Sequence, residues 1–196
     1  MKKHLSTILQ VLLFFVGLSV VLYPTVSDWW NQRHASRAIA SYDETAQSLT
    51  PENTDACFAA ADDYNARLAA DPDAFYDPEK IAGYEDTLNI SGTGIMGYIT
   101  IDKINVQLPI YHGTSDSVLQ VGVGHLEGTS LPVGGASTHC VLSAHRGLPS
   151  AVLFTNLDRL EAGDTFTVTV LDRLLTYEVD QISIVLPEQV QDLLIT

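Results

Sequence analysis

An uncharged, mostly apolar run extends from Leu5 to Ser27 behind Lys2 and Lys3. A single membrane-spanning helix needs roughly 20 such residues. The lysines before the run and Asp28 after it predict a cytoplasmic N-terminus. Tyr23, Trp29 and Trp30 stand where an outer interfacial aromatic belt would fall. A cleaved signal peptide is the competing reading, but the stretch is long for one and no clear Ala-x-Ala site follows it. The expectation is an uncleaved signal anchor over residues 1–27, a single N-terminal pass through the cell membrane, and the bulk of the chain outside.

From residue 28 to about residue 70 the pattern is helical. Thr50-Pro51-Glu52 reads as an N-cap with proline at the first helical position. Cys57, Ala61, Tyr64 and Leu68 then recur at helical spacing as one apolar stripe. Asp71-Pro72 ends that helix, and Asp73 to Pro78 predicts an exposed, turn-rich connection.

Beyond residue 90 the period falls to two. Gly97–Asp102 is a candidate strand, in a run where Ile99, Ile101 and Lys103 face one way and Tyr98, Thr100 and Asp102 the other. Val106–Tyr111, Thr138–Ala144 and Thr165–Val170 are further candidate strands, and Leu174–Leu186 gives one long or bent strand. Ser115 or Asp116 caps a short helix carrying Val118, Leu119 and Val121, and Glu188–Ile195 starts another. Many short strands with few helices predict a mainly β fold, a barrel or sandwich, over residues 91–196. Residues 28–90 form an extracellular helical segment with a possible lid or linker. Gly92, Gly94 and Gly97 spell a literal G-x-G-x-x-G, but a β-alternating run follows it where a dinucleotide site needs a helix. Those glycines read as a flexible lead into the β domain.

The 196 residues leave room for one cored domain besides the anchor. A net charge of −14 with only 10 Lys and Arg excludes a phosphate-backbone binder, so no nucleic-acid partner is expected. Cys57 and Cys140 are too few for a disulfide framework or a zinc site, and no cofactor is indicated. They could pair only if their Cα atoms approach closely, which the sequence does not show. Cys57 lies on the helical stripe, where a small packed hydrophobe is expected.

The candidate chemistry sits in Ser137–Pro149. On a strand, His139, Val141, Ser143 and His145 share one face, with Cys140, Leu142 and Ala144 on the other. The second face is small or apolar throughout and reads as the core side. A nucleophilic cysteine needs its sulfur within hydrogen-bond reach of the base and a lowered pKa. Strand parity instead makes Cys140 a buried, inert thiol. His139 and His145 share a face, but no third ligand of suitable spacing makes them a metal site. Taken alone, a histidine at a strand end is as readily structural as catalytic.

Five ordered blocks go further. They are Gly94–Ile99, Leu108-Pro109-Ile110-Tyr111-His112-Gly113-Thr114, Gly122–Gly135 with its Gly124-His125-Leu126-Glu127-Gly128-Thr129-Ser130 core, Ser137–Pro149, and Leu153–Asp158. Together they resemble a class C, pilus-assembly sortase from about residue 91 to the end. The resemblance implies a sortase β-barrel and a cysteine transpeptidase. In that family a thiolate attacks the Thr–Gly carbonyl of a Leu-Pro-x-Thr-Gly sorting signal. A lysine amine of a pilin, or the cell wall, then resolves the thioacyl-enzyme. The implied partners are sorting-signal-bearing surface or pilin proteins and the membrane. His145 matches the family's catalytic histidine, which protonates the leaving amine and later deprotonates the attacking one. The family's arginine lies on a late strand and is not Arg146.

Two departures accompany the resemblance. The family's Thr-Cys block and its arginine follow the histidine at distances that carry them beyond Thr196. The expectation is a C-terminally incomplete barrel, its last strands missing, with an open edge and no activity of its own. Class C enzymes often carry an Asp-Pro-aromatic plug, whereas here Asp71-Pro72 and Asp77-Pro78 are followed by acids, with Phe75 and Tyr76 displaced. Two alternatives stay open: a non-catalytic membrane-anchored protein on a sortase-like scaffold, and a site in which Cys140 acts with His145.

Overall fold

A computed structural model describes residues 2–71, 73–186 and 189–194, with side chains from residue 7 onward. The predicted anchor and the first outer helix are one continuous element, α1 (Lys2–Gln47). Its apolar part is exposed all round, from Ile8 to Val26, which is consistent with a membrane anchor or a signal segment. By length and composition it can cross a membrane. Past the aromatic pair Trp29 and Trp30 the helix becomes one-sided, and Ala35, Ile39 and Tyr42 are buried against the rest of the chain.

A turn leads to α2 (Pro51–Ala70), which starts as the sequence predicts: the Thr50 hydroxyl accepts from the Asn53 amide, and Pro51 opens the helix. Ala61, Tyr64 and Leu68 are buried, joined by Phe58 and Asn65, and Cys57 packs against the same core. The helix ends at Ala70, with Asp71 as its cap, whereas Pro72 lies outside the described residues. The turn after it is less exposed than expected, because Ala74 is buried.

The β domain begins at β1 (Ile95–Ile101), followed by β2 (Val106–His112), the short α3 (Asp116–Leu119), β3 (Val123–His125), β4 (Leu142–Ser143), β5 (Thr165–Val170) and β6 (Arg173–Glu178). The strands form one sheet in the order β4-β3-β2-β1-β5-β6, antiparallel except for the parallel β2–β3 pair. Ile99, Ile101 and Val168 bury one face, as the alternation predicts. Gly97 belongs to the strand and not to a flexible lead, since a Cβ there would lie 2.4 Å from the Thr169 carbonyl oxygen.

Three expectations need correction. The chain is 42% helical and so not mainly β, because α1 alone has 46 residues. The β domain itself is a curled, six-stranded half-barrel with β4 and β6 at its edges, in keeping with the open-edged barrel expected. The long strand over Leu174–Leu186 ends at Glu178: Val179 still pairs with the Asp164 turn, but no ladder forms beyond it among the described residues. Thr138–Ala144 is extended, yet only Leu142 and Ser143 pair as strand. The amides of His139 and Val141 are taken by the Ser130 and Thr129 hydroxyls instead. β3 escaped notice because three residues carry too little period. Gln191–Leu193 forms a 3-10 turn where a short helix is expected, and the flanking Glu188 and Ile195 lie outside the described residues.

Tyr42 ties α1 to the sheet. Its hydroxyl donates to the Met96 carbonyl (3.0 Å) and accepts from the Leu171 amide (2.9 Å). The side chain is 1% exposed, and burial pushes the phenol up to about 12. Tyr42→Phe leaves two buried backbone groups unpaired, and each such group costs about 1–3 kcal/mol. Urea unfolding of the variant is expected to show a loss of roughly 2 kcal/mol or more.

Candidate active site

The extended run ending at His145 rests on the loop that follows β3. Ser130 donates its amide to the His139 carbonyl (2.8 Å) and its hydroxyl accepts from the His139 amide (3.0 Å). Leu126 pairs with the Val141 carbonyl (2.9 Å), and Thr129 accepts from the Val141 amide (3.2 Å). This loop is itself braced by His125, which is fully buried. The His125 Nε2 faces the Ser130 carbonyl (2.9 Å) and its Nδ1 meets the Tyr84 hydroxyl (2.9 Å). The same hydroxyl accepts from the Gly113 amide (2.8 Å). Burial lowers the His125 imidazole to about 4, so it is neutral and structural. His112 is also internal, its two ring nitrogens on the Gly94 and Thr87 carbonyls.

His145 differs from both. It is half-buried at the exit of β4, and its ring makes no hydrogen bond to any described residue. Its backbone, by contrast, is held: the Phe154 amide donates to the His145 carbonyl (3.1 Å). The hairpin that follows is closed by Gly147 N–H on the Thr155 hydroxyl (3.0 Å) and by Leu148 bridging to Ala151. Arg146 pairs with Asp158 at 2.8 Å on the surface, a strut for this hairpin. A fixed backbone with a free imidazole is the arrangement a general acid–base needs.

Cys140 is half-buried, and burial pushes its thiol up to about 12. Its strand neighbours Leu142 and Ala144 pack on the core, as parity predicts. Cys57 and Cys140 are both free. No cluster of His, Cys, Asp or Glu fit for a metal occurs among the described residues.

A cavity of about 850 Å³ opens on the concave side, reaching from Leu142 on β4 to Leu175–Glu178 on β6. Its walls are largely apolar, with Ile99, Ile101, Phe166 and Tyr177 among them, and Cys140 and His139 at one side. His145 stands outside this lining. The turn over residues 73–76 packs on the end of α2 and against Gly128, where its backbone comes within 3.0 Å of the place a Cβ would take.

Sequence reasoning singled out His145 and set Cys140 aside but missed the support. Tyr84, His125, Thr129 and Ser130 work through contacts between distant segments. For His125, Thr129 and Ser130 the signal was the cluster of polar residues within residues 123–133, and for Tyr84 there was none.

A family model for the sortase domain matches residues 99–195. The crystal structure of sortase C1 from Streptococcus agalactiae superimposes with a TM-score of 0.72 at 44% identity, covering 80% of this chain and 82% of that one. An X-ray structure of Clostridium perfringens sortase C with the C-terminal cell wall sorting motif gives 0.70 at 41% identity, covering 83% and 84%. Among curated sequences, sortase A of Streptococcus agalactiae is 30% identical over 100 residues, which is 50% of this chain and 40% of the relative. The chain thus spans less than half the length of that curated relative. On the sheet, the braced histidine run and these likenesses, the chain belongs to the sortase family, with class C sortases as its structural neighbours.

Proposed function

We propose that this chain is the anchored, histidine-bearing part of a cysteine transpeptidase that acts on sorting signals of the Leu-Pro-x-Thr-Gly kind. The observation that carries the reading is His145: backbone-clamped, free at its ring nitrogens and set at the edge strand β4. The thiolate attacks the threonine carbonyl carbon, and a sulfur–carbon bond forms. As the Thr–Gly bond breaks, His145 protonates the departing glycine amine. It then takes a proton from the incoming lysine amine, or from a cell-wall amine, which displaces the sulfur. The bound sorting motif in the Clostridium perfringens sortase C structure supports this substrate class. The Cys140 thiol, pushed up by burial, is unsuited to the attack. The nucleophile is assigned to chain following residue 196, and so is the arginine that steadies the oxyanion. The long apolar helix supplies the membrane attachment.

The test is peptide transfer by the full-length enzyme, with a Leu-Pro-x-Thr-Gly peptide and a lysine-bearing acceptor. Cleavage between Thr and Gly with acyl transfer to the amine is expected, and Cys140→Ala should retain turnover within about twofold, as an inert thiol predicts. Absence of Thr–Gly cleavage would overturn the reading. Loss of turnover in Cys140→Ala at unchanged stability would return Cys140 to the role of nucleophile.

A further inference from the structure

On the domain-facing side of α1, residues 28, 31, 35, 39 and 42 follow one another at helical spacing. The last three are the buried Ala35, Ile39 and Tyr42. The first two are polar, and each meets a backbone group of the histidine hairpin. The Asp28 Oδ1 accepts from the Val152 amide (2.8 Å), and the Asn31 Nδ2 donates to the Ser150 carbonyl (2.8 Å). The other carboxylate oxygen of Asp28 accepts from Gln32 one turn on (2.7 Å), which fixes its rotamer. Simple packing of a helix on a loop would be served by apolar residues here, as it is at Ala35 and Ile39. The polar pair instead fixes the height and direction of one short segment.

That segment leads directly to His145. Leu153, next to the held Val152 amide, has a φ of 41°, a backbone conformation that is strained for a non-glycine residue and persists only where its surroundings impose it. Phe154 then returns its amide to the His145 carbonyl. We propose that Asp28 and Asn31 are positioning residues for His145, acting through the hairpin over residues 145–155. This rests on the reading of His145 as the acid–base group. Asp28 is also the first charged residue after the apolar run. The helix that enters the membrane therefore sets the histidine's place directly, with no intervening spacer.

The test uses the full-length enzyme in detergent or vesicles, comparing wild type, Asp28→Ala and Asp28→Asn. In Asp28→Ala, hydrogen exchange at the Val152 and Phe154 amides should quicken at least about tenfold, with β1 and β5 unchanged. Its kcat for peptide transfer should fall roughly tenfold with KM within about twofold, as expected when a catalytic group is misplaced and substrate binding is not. Asp28→Asn keeps an acceptor oxygen for Val152 and should restore both. An unaltered kcat in Asp28→Ala, or an Asp28→Asn variant as impaired as Asp28→Ala, would overturn the proposal. So would loss of protection spread evenly over the sheet. A wild type that transfers no peptide would overturn the transpeptidase reading, and with it the catalytic purpose of the contact. The exchange comparison would still decide whether α1 holds the hairpin.

Discussion

His145→Ala in the full-length enzyme is expected to lower kcat/KM for sorting-signal transfer by roughly 10²–10⁴-fold, the range a positioned general acid–base contributes. The loss should fall on kcat, because in the proposed mechanism the imidazole acts on the leaving and attacking amines and not on the ground-state peptide. Folding should be nearly unaffected. The His145 ring makes no hydrogen bond to any described residue and its truncation orphans no buried group; what holds the hairpin is the His145 carbonyl, which alanine retains. The two buried histidines give the contrast. His125→Ala would unpair the Ser130 carbonyl inside the core and remove one partner of the Tyr84 hydroxyl, so its damage should appear first as lost stability. Peptide-transfer kinetics alongside urea midpoints separate the two behaviours. A His145→Ala variant with undiminished turnover would remove that residue from the chemistry.

Acidification should destabilise the β domain through His125. The unfolded imidazole titrates near its ordinary 6.5, and burial lowers the folded one to about 4. Between those values the unfolded chain binds the extra proton, so stability rises with pH there. The contribution is fully present above about pH 6.5 and is lost as pH falls toward 4, amounting to roughly 3 kcal/mol. Glu127, whose pKa burial instead raises, works in the opposite direction: the folded state holds its proton more tightly, which favours folding as pH falls. The measurement is therefore a difference. Unfolding free energies at pH 7 and pH 4.5 are compared for wild type and His125→Gln. Wild type should lose more stability on acidification, and the glutamine variant should start lower with a flatter slope. Parallel slopes would mean that His125 is not the buried neutral group the geometry describes.

Elements with a strong period were legible from the sequence. Thr165–Val170 and Val106–Tyr111 appear as strands nearly as read, and the Thr50-Pro51 start of α2 is at its predicted residue. The packing of Leu142 and Ala144 on the core was also legible, since parity put them on one face. What failed depended on partners remote in sequence. Nothing between residues 138 and 141 announces that side-chain hydroxyls, and not a neighbouring strand, will take its amides. Nothing in Leu174–Leu186 shows that pairing stops after Val179. Asp28 read only as the first charge past a membrane span, and its bond to Val152 joins residues 124 apart. Likewise, His125 looks no different from His145 in the sequence. Burial and the Tyr84 hydroxyl make one a brace, and a strand edge leaves the other free.

The central claim is that His145 serves a thiol other than those of Cys57 and Cys140. Its most direct test is mass spectrometry of the full-length enzyme, quenched after mixing with a Leu-Pro-x-Thr-Gly peptide in the absence of an acceptor amine. The predicted result is an acyl adduct, cleaved at the threonine carbonyl, that maps to a cysteine outside residues 1–196. An adduct on Cys140, or none on any cysteine while the peptide is cleaved, would contradict it.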